Sequence, residues 1–143
     1  MNNKGFTLTE LLIVLAIISI LAMISVPAYV GQQKRATRTE AYSNLETLRL
    51  VEEQFFAENG AYTASAANVA AIQALLPNFR PGAGLNFNYA ITQDVALVPP
   101  AAVPYDGATA AQNPCFVATA TGIAGTRVAG DVFAIDCNNN RNF

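Results

Sequence analysis

From Leu11 to Val30 the chain runs for 20 residues without a charged side chain, its only hydroxyls at Ser19 and Ser25 and its one helix breaker at Pro27. At about 1.5 Å per residue, a helix of that length spans roughly 30 Å, the hydrocarbon thickness of a bilayer. Such a segment has to be covered by lipid, by the rest of its own chain or by other copies of itself. With 143 residues in all, there is room beside it for one further core and not for two.

Past Val30 the pattern changes rather than stops. Ala41, Leu45, Leu48, Val51 and Phe55 recur every three or four positions, an apolar helical stripe, while Arg38, Tyr42, Glu46, Arg49 and Glu53 form a polar one. Asn59-Gly60 supplies a stop, because both residues accept the left-handed conformation that ends helices. The spacing predicts one helix from Phe6 to Asn59, about 80 Å long. Its first part, 6–30, is membrane-compatible and its second, 31–59, is amphipathic. Pro27 has no N–H to offer the Met23 carbonyl, so a kink or loosening is expected there, with Gly31 softening the same region.

A secretory signal peptide is the competing reading, since Met1 to Lys4 looks like a short basic region and Val26-Pro27-Ala28 like a small-residue cleavage site. The apolar run is too long for a signal core, and Glu10 stands at its start.

Composition narrows the function. Charged residues make up 13% against 52% hydrophobic, and the net charge is −2, which fits neither a disordered chain nor a nucleic-acid binder. Histidine is absent, and with it the commonest general base and metal ligand. No residue set supports an enzyme, and no cofactor is implied. Asp131, Asp136 and Asn138 to Asn140 offer oxygen ligands, but their spacing matches no defined calcium loop, so no metal is expected. Cys115 and Cys137 read as one disulfide in an oxidising compartment, with two buried thiols as the alternative. The disulfide would contribute roughly 3 kcal/mol in the chain-entropy account.

Beyond Gly60, residues Ser65 to Leu76 predict a short helix ended by Pro77. Leu85 to Ile91 alternates like a half-buried strand, and Phe116 to Thr121 and Val132 to Cys137 read as two more. Asp94 to Pro114 contains Pro99, Pro100, Pro104, Gly107 and Pro114, and reads as a long surface loop too broken for a central strand. The expected class is α+β: a long N-terminal helix packed on a small antiparallel sheet.

The segment Lys4-Gly5-Phe6-Thr7-Leu8-Thr9-Glu10-Leu11-Leu12-Ile13-Val14 closely resembles the class III signal of type IV pilins, strongly over residues 4–62 and only in architecture beyond. The resemblance implies a pilin fold, with a leader at 1–5, a transmembrane and polymerisation helix at 6–30, its amphipathic half at 31–59 and a head at 60–143. Within that head the disulfide would bound the region 115–137. It also implies that a prepilin peptidase cuts between Gly5 and Phe6 and methylates the Phe6 amine. In assembled pili of this family the stretch ending at the proline, here Ser19 to Pro27, can lose helical order.

An ionisable Glu10 at the start of a membrane helix calls for a partner, and cleavage would create one in the Phe6 amine of a neighbouring subunit. The alternative, compatible with it, is a capping box between Thr7 and Glu10. Lys34, Arg35 and Arg38 follow the apolar run, and charge alone would place the N-terminus outside; the resemblance requires the reverse. Those three cations would meet lipid headgroups or glutamates of neighbouring helices.

The implied function is a homopolymer: an inner-membrane single-pass precursor, held in lipid before the assembly machinery builds it into an extracellular filament for adhesion, twitching motility or DNA uptake. Direct nucleic-acid binding is not expected of the head. A minor pilin or type II secretion pseudopilin is the second reading, although Glu10 argues against the tip-initiating pseudopilins that lack it. A membrane-tethered binding domain that never polymerises is the third.

Overall fold

A computed structural model describes residues 5–143. The elements run α1 (Leu8–Asn59), α2 (Val69–Leu75), β1 (Phe87–Leu97), β2 (Thr109–Gly122) and β3 (Val132–Asp136). They form two compact units, one ending at Ala36 and the other running from Thr37 to Phe143. The expected α+β architecture is the one observed, a long apolar helix followed by a small antiparallel sheet in the order β1-β2-β3.

Among the described residues, the apolar stretch of α1 in the first unit is left uncovered. Its most apolar 18-residue window has a mean hydropathy of 2.8 and is 0% buried, so that Leu11, Ile13, Leu15, Ile18 and Leu21 all face outward. Ser19 turns its hydroxyl back onto the Leu15 carbonyl at 2.7 Å, which satisfies it without water. The α1 assignment continues through Pro27, and Ser19 to Pro27 is helical throughout.

In the second unit α1 lays Ala41, Leu45 and Leu48 against one face of the sheet, where Phe87, Tyr89, Ile91, Phe116, Ala118, Phe133 and Ile135 are buried. Each large apolar side chain removed from water there contributes about 1.5–3 kcal/mol. α2 closes the core with Ile72, followed by Leu76 and Phe79. It starts four residues later than its Ala-rich sequence suggested. Ala66 pairs with Ile91 in both directions at 2.9 and 2.8 Å, and Asn68 then caps the helix by accepting from the Ala71 N–H at 2.9 Å. α2 ends before Pro77, as the restriction on the residue preceding proline requires.

The segment read as a loop, Asp94 to Pro114, is largely strand at its two ends. β1 continues to Leu97 and β2 begins at Thr109, pairing Val95 with Ala111 and Leu97 with Thr109. Pro114 therefore does lie in the central strand. The register explains how it is tolerated: Gln93 pairs with Phe116 but Val95 pairs with Ala111, so the residues between 111 and 116 bulge out of the ladder. A residue in a bulge owes no N–H to its neighbour strand. The true loop, 98–108, folds over the far face of the sheet, where Ala101 and Tyr105 pack on Leu97, Val117 and Ala134.

Candidate assembly segment and its seating in the head

The N-terminal site is built by one local device. Thr7 donates its backbone N–H and its hydroxyl to the same Glu10 carboxylate oxygen, each at 2.8 Å, and its Oγ1 accepts from the Glu10 N–H at 3.2 Å. This reciprocal arrangement fixes where the helix begins. It starts α1 at Leu8 rather than at Phe6, leaving the Gly5–Phe6 peptide outside the helix. Phe6 is 84% exposed, and Glu10 is exposed as well. The Gly5–Phe6 peptide is exposed and lies outside the helical hydrogen bonds. Residues 1–4, including Lys4 and the rest of the expected leader, lie outside the described residues.

The polar stripe of α1 is seated on the head. Arg38 donates from Nε and Nη2 to the two carboxylate oxygens of Asp131, both at 2.8 Å. The expectation that Arg38 meets lipid headgroups or a neighbouring glutamate is corrected by this pairing within its own chain. Glu40 accepts from Asn86 Nδ2 at 3.0 Å, and Asn44 Nδ2 donates to the Tyr89 hydroxyl at 2.8 Å. Glu46 pairs with Arg141, and Tyr42 stacks on Phe143 with ring centroids 4.5 Å apart. These helix charges are held by partners that lie 46 to 95 residues away.

Glu52 was not singled out in the sequence and is fully buried. It accepts from the Thr63 backbone N–H at 3.1 Å and from the Thr63 hydroxyl, tying the chain just past α1 back to the helix. Burial pushes its carboxyl above the ordinary glutamate range, and the Thr63 hydrogen bonds partly oppose that. The signal was present in the spacing, because 41, 45, 48 and 52 continue one stripe. Beside it, Tyr62 donates to Glu53 at 3.2 Å, and its phenol is pushed up to about 12 by burial and by Glu53.

Asn142 had no sequence signal. Its Nδ2 donates to the carbonyls of Ala102 and Val132 at 2.8 and 3.1 Å, and its Oδ1 accepts from the Ala134 N–H at 2.9 Å, clamping loop 98–108 to the free edge of β3.

The oxygen-rich C-terminal region is occupied by the protein itself. Asp136, fully buried, accepts from the Leu97, Asn138 and Asn140 backbone N–H groups at 3.1, 2.9 and 2.8 Å and from Asn140 Nδ2 at 2.9 Å. Cys115 and Cys137 are joined with their Cα atoms 5.4 Å apart, linking β2 to the end of β3.

Comparison with known proteins points to the same segment. The model of the prokaryotic N-terminal methylation motif matches residues 1–26. The chain is 36% identical over 91 residues to the type IV major pilin protein PilA of Myxococcus xanthus, covering 64% of this chain and 38% of that protein. It is 42% identical over 66 residues to the type IV wide pilus major component PilA4 of Thermus thermophilus, covering 46% and 50%. It is also 31% identical over 61 residues to the type II secretion system core protein G of Pectobacterium carotovorum, covering 43% and 39%. The chain spans half or less of the length of these curated relatives. The motif and the pilin relatives together support a type IV prepilin.

Proposed function

We propose that this chain is a structural subunit of a type IV pilus. It enters the inner membrane as a single-pass precursor, loses its leader by cleavage between Gly5 and Phe6, is methylated at the Phe6 amine and polymerises through residues 6–58 into a surface filament. One observation carries the reading: a bilayer-length helix with 0% of its apolar window buried begins at Leu8 inside the matched methylation motif, with exposed Glu10 closing the capping box at its start. Lipid can cover that helix before assembly, and the helices of other copies can cover it afterwards. In the filament the Phe6 amine of one copy pairs with Glu10 of the next, and Ser19 to Pro27 is the stretch that loses helical order, letting the filament extend. Catalysis has no part in this reading. The filament serves adhesion, motility or DNA uptake without the head binding nucleic acid directly.

The similarity to a secretion-system core protein favours one second reading, a pseudopilin or minor pilin in a short periplasmic fibre. Top-down mass spectrometry of sheared extracellular material and of membranes separates the two. A Phe6-methylated, disulfide-bonded species abundant in the sheared fraction supports the pilus subunit. The same species confined to membranes supports the second reading, and an intact Met1 or a start at Tyr29 overturns both.

A further inference from the structure

The sheet of the head has two outer rims, and its own chain lies along both. Beside β1, Ala66 pairs with Ile91 in both directions, Ser65 Oγ accepts from the Gln93 N–H at 3.0 Å, and Phe87 and Tyr89 are fully buried. Beside β3, the Val132 carbonyl accepts from Tyr105 and Asn142, Ala134 bonds Asn142 through its N–H and its carbonyl, and the Asp136 N–H donates to the Asn140 carbonyl. An unpaired backbone rim is a template for another strand, and here both rims are taken.

β2 has a further rim, because it outruns β3. β3 pairs with β2 only from Thr121 to Val117, whereas before the bulge β2 has β1 on one side alone, with Ala111, Ala110 and Thr109 opposite Val95, Ala96 and Leu97. The Val98 N–H donates to the Ala108 carbonyl, and this fixes the phase of the ribbon: Ala96 and Ala110 are the bonded pair, so the N–H and C=O groups of Leu97, Thr109 and Ala111 point outward. On the β1 side Asp136 accepts from the Leu97 N–H at 3.1 Å. On the β2 side, among the described residues, the N–H and C=O groups of Thr109 and Ala111 have no hydrogen-bond partner. Residues 107–114 are exposed throughout, and 108–113 holds neither a charge nor a proline, the usual guards of an open rim. Two exposed acids flank the stretch, Asp106 just before it and Asp94 in the irregularity opposite 112–115. Among the described residues no cation pairs with either.

We propose that the outer rim of β2 at 109–111 accepts an extended peptide segment of another protein, which adds a strand to the ribbon and carries a Lys or Arg at its ends. Four backbone groups facing outward at alternate residues select an extended chain, and the flanking acids select its charge. A second copy of this chain fits poorly, because the rims of β1 and β3 are covered and two β2 rims set together would bring four acids to one seam.

The test uses the full-length protein in detergent micelles and the synthetic peptide Lys-Thr-Val-Thr-Val-Thr-Lys, a generic strand, since backbone pairing tolerates sequence. Residue-by-residue amide exchange is expected to show Thr109 and Ala111 exchanging fast in the free protein, beside a protected Ala110, and slowing about tenfold with the peptide at millimolar concentration. Ala111→Pro removes an outward N–H that the fold does not use, so the melting temperature is expected to hold while peptide affinity falls about tenfold; Thr109→Pro makes the same change at the other outward position. Glutamates in place of both lysines are expected to weaken binding about tenfold, and Asp94→Asn, which suits the left-handed backbone at φ 61, to narrow that difference. Slow exchange at Thr109 and Ala111 in the free protein, no slowing with the peptide, or unchanged affinity in both proline variants overturns the proposal. Slowing that follows protein concentration without peptide gives the rim to a second copy and overturns it too. Each outcome is read on the head alone and leaves the pilus-subunit reading as it stands.

Discussion

Arg38 and Asp131, 93 positions apart, meet through two parallel hydrogen bonds of 2.8 Å that hold the turn before β3 against α1. The Asp131 side chain is only 12% exposed, and the guanidinium fork matches the carboxylate in a way an ammonium cannot. Asp131→Asn is therefore expected to cost about 2 kcal/mol, in the range of hydrogen bonds to charged groups. Arg38→Lys is expected to lose most of the same stability despite keeping the charge. Thermal melts of the full-length protein in detergent check both, and a lysine variant that melts with wild type would sink the bidentate argument.

How legible all this was in the sequence depends on range. The long helix was readable because its evidence is local: an uninterrupted apolar run, then a stripe at 41, 45 and 48, then Asn59-Gly60. The N-terminal site was readable for the same reason, since Thr7 and Glu10 are three residues apart. Pro114 misled because the rule against proline in central strands assumes an unbroken ladder, and here the irregularity between 111 and 116 relieves it. The partners of the polar stripe were not readable, because helical spacing says which residues share a face and nothing about Asp131 or Arg141 arriving from the far end of the chain.

Glu52 makes stability depend on pH. Burial raises its folded pKa above the unfolded value, so the folded head holds this proton more tightly than the unfolded chain does. The resulting stabilisation is fully present below the ordinary glutamate pKa and is lost as pH rises through the raised folded value. Glu52→Gln, which keeps an acceptor for the Thr63 N–H, is expected to flatten that slope. Glu52→Ala is expected to lose about 1–3 kcal/mol at every pH because the Thr63 N–H is left buried and unpaired. Chemical denaturation at a series of pH values distinguishes them; a wild-type slope in the glutamine variant would clear Glu52 of the effect.

Alkaline stability is governed by tyrosines. The Tyr89 phenol, buried in the core, and the Tyr62 phenol are both pushed up to about 12. Between the ordinary tyrosine value near 10 and that figure, the unfolded chain loses protons that the folded head keeps, so stability falls across the window. Tyrosinate absorbance is expected to develop late and together with loss of the far-ultraviolet signal. Tyr89→Phe should remove part of the fall at the expense of the Asn44 hydrogen bond; full ionisation near pH 10 in a still-folded protein would contradict the burial argument.

The disulfide between Cys115 and Cys137 closes a loop with a sequence separation of 22 beside the irregular part of β2. Paired Cys115→Ser and Cys137→Ser changes are expected to cost roughly 3 kcal/mol, mostly by freeing the unfolded chain. Hydrogen exchange should show the loss concentrated in 109–116 and 136–142, where Gln112 and Asn138 also exchange hydrogen bonds. Uniform loss across α1 and the sheet instead would mean that the bond supports the whole core.

Glu10 has two roles that one pair of substitutions separates. Its carboxylate closes the capping box with Thr7, and a glutamine completes the same box. What glutamine lacks is the charge needed to meet the Phe6 amine of a neighbouring copy inside a filament, where a buried charge without its partner is more costly than the pair is favourable. Glu10→Ala and Glu10→Gln are therefore both expected to insert into membranes normally and to yield few or misregistered filaments. If Glu10→Gln assembled at the wild-type level while Glu10→Ala did not, the residue would be needed only to start the helix at Leu8, and filament register would have to be set elsewhere.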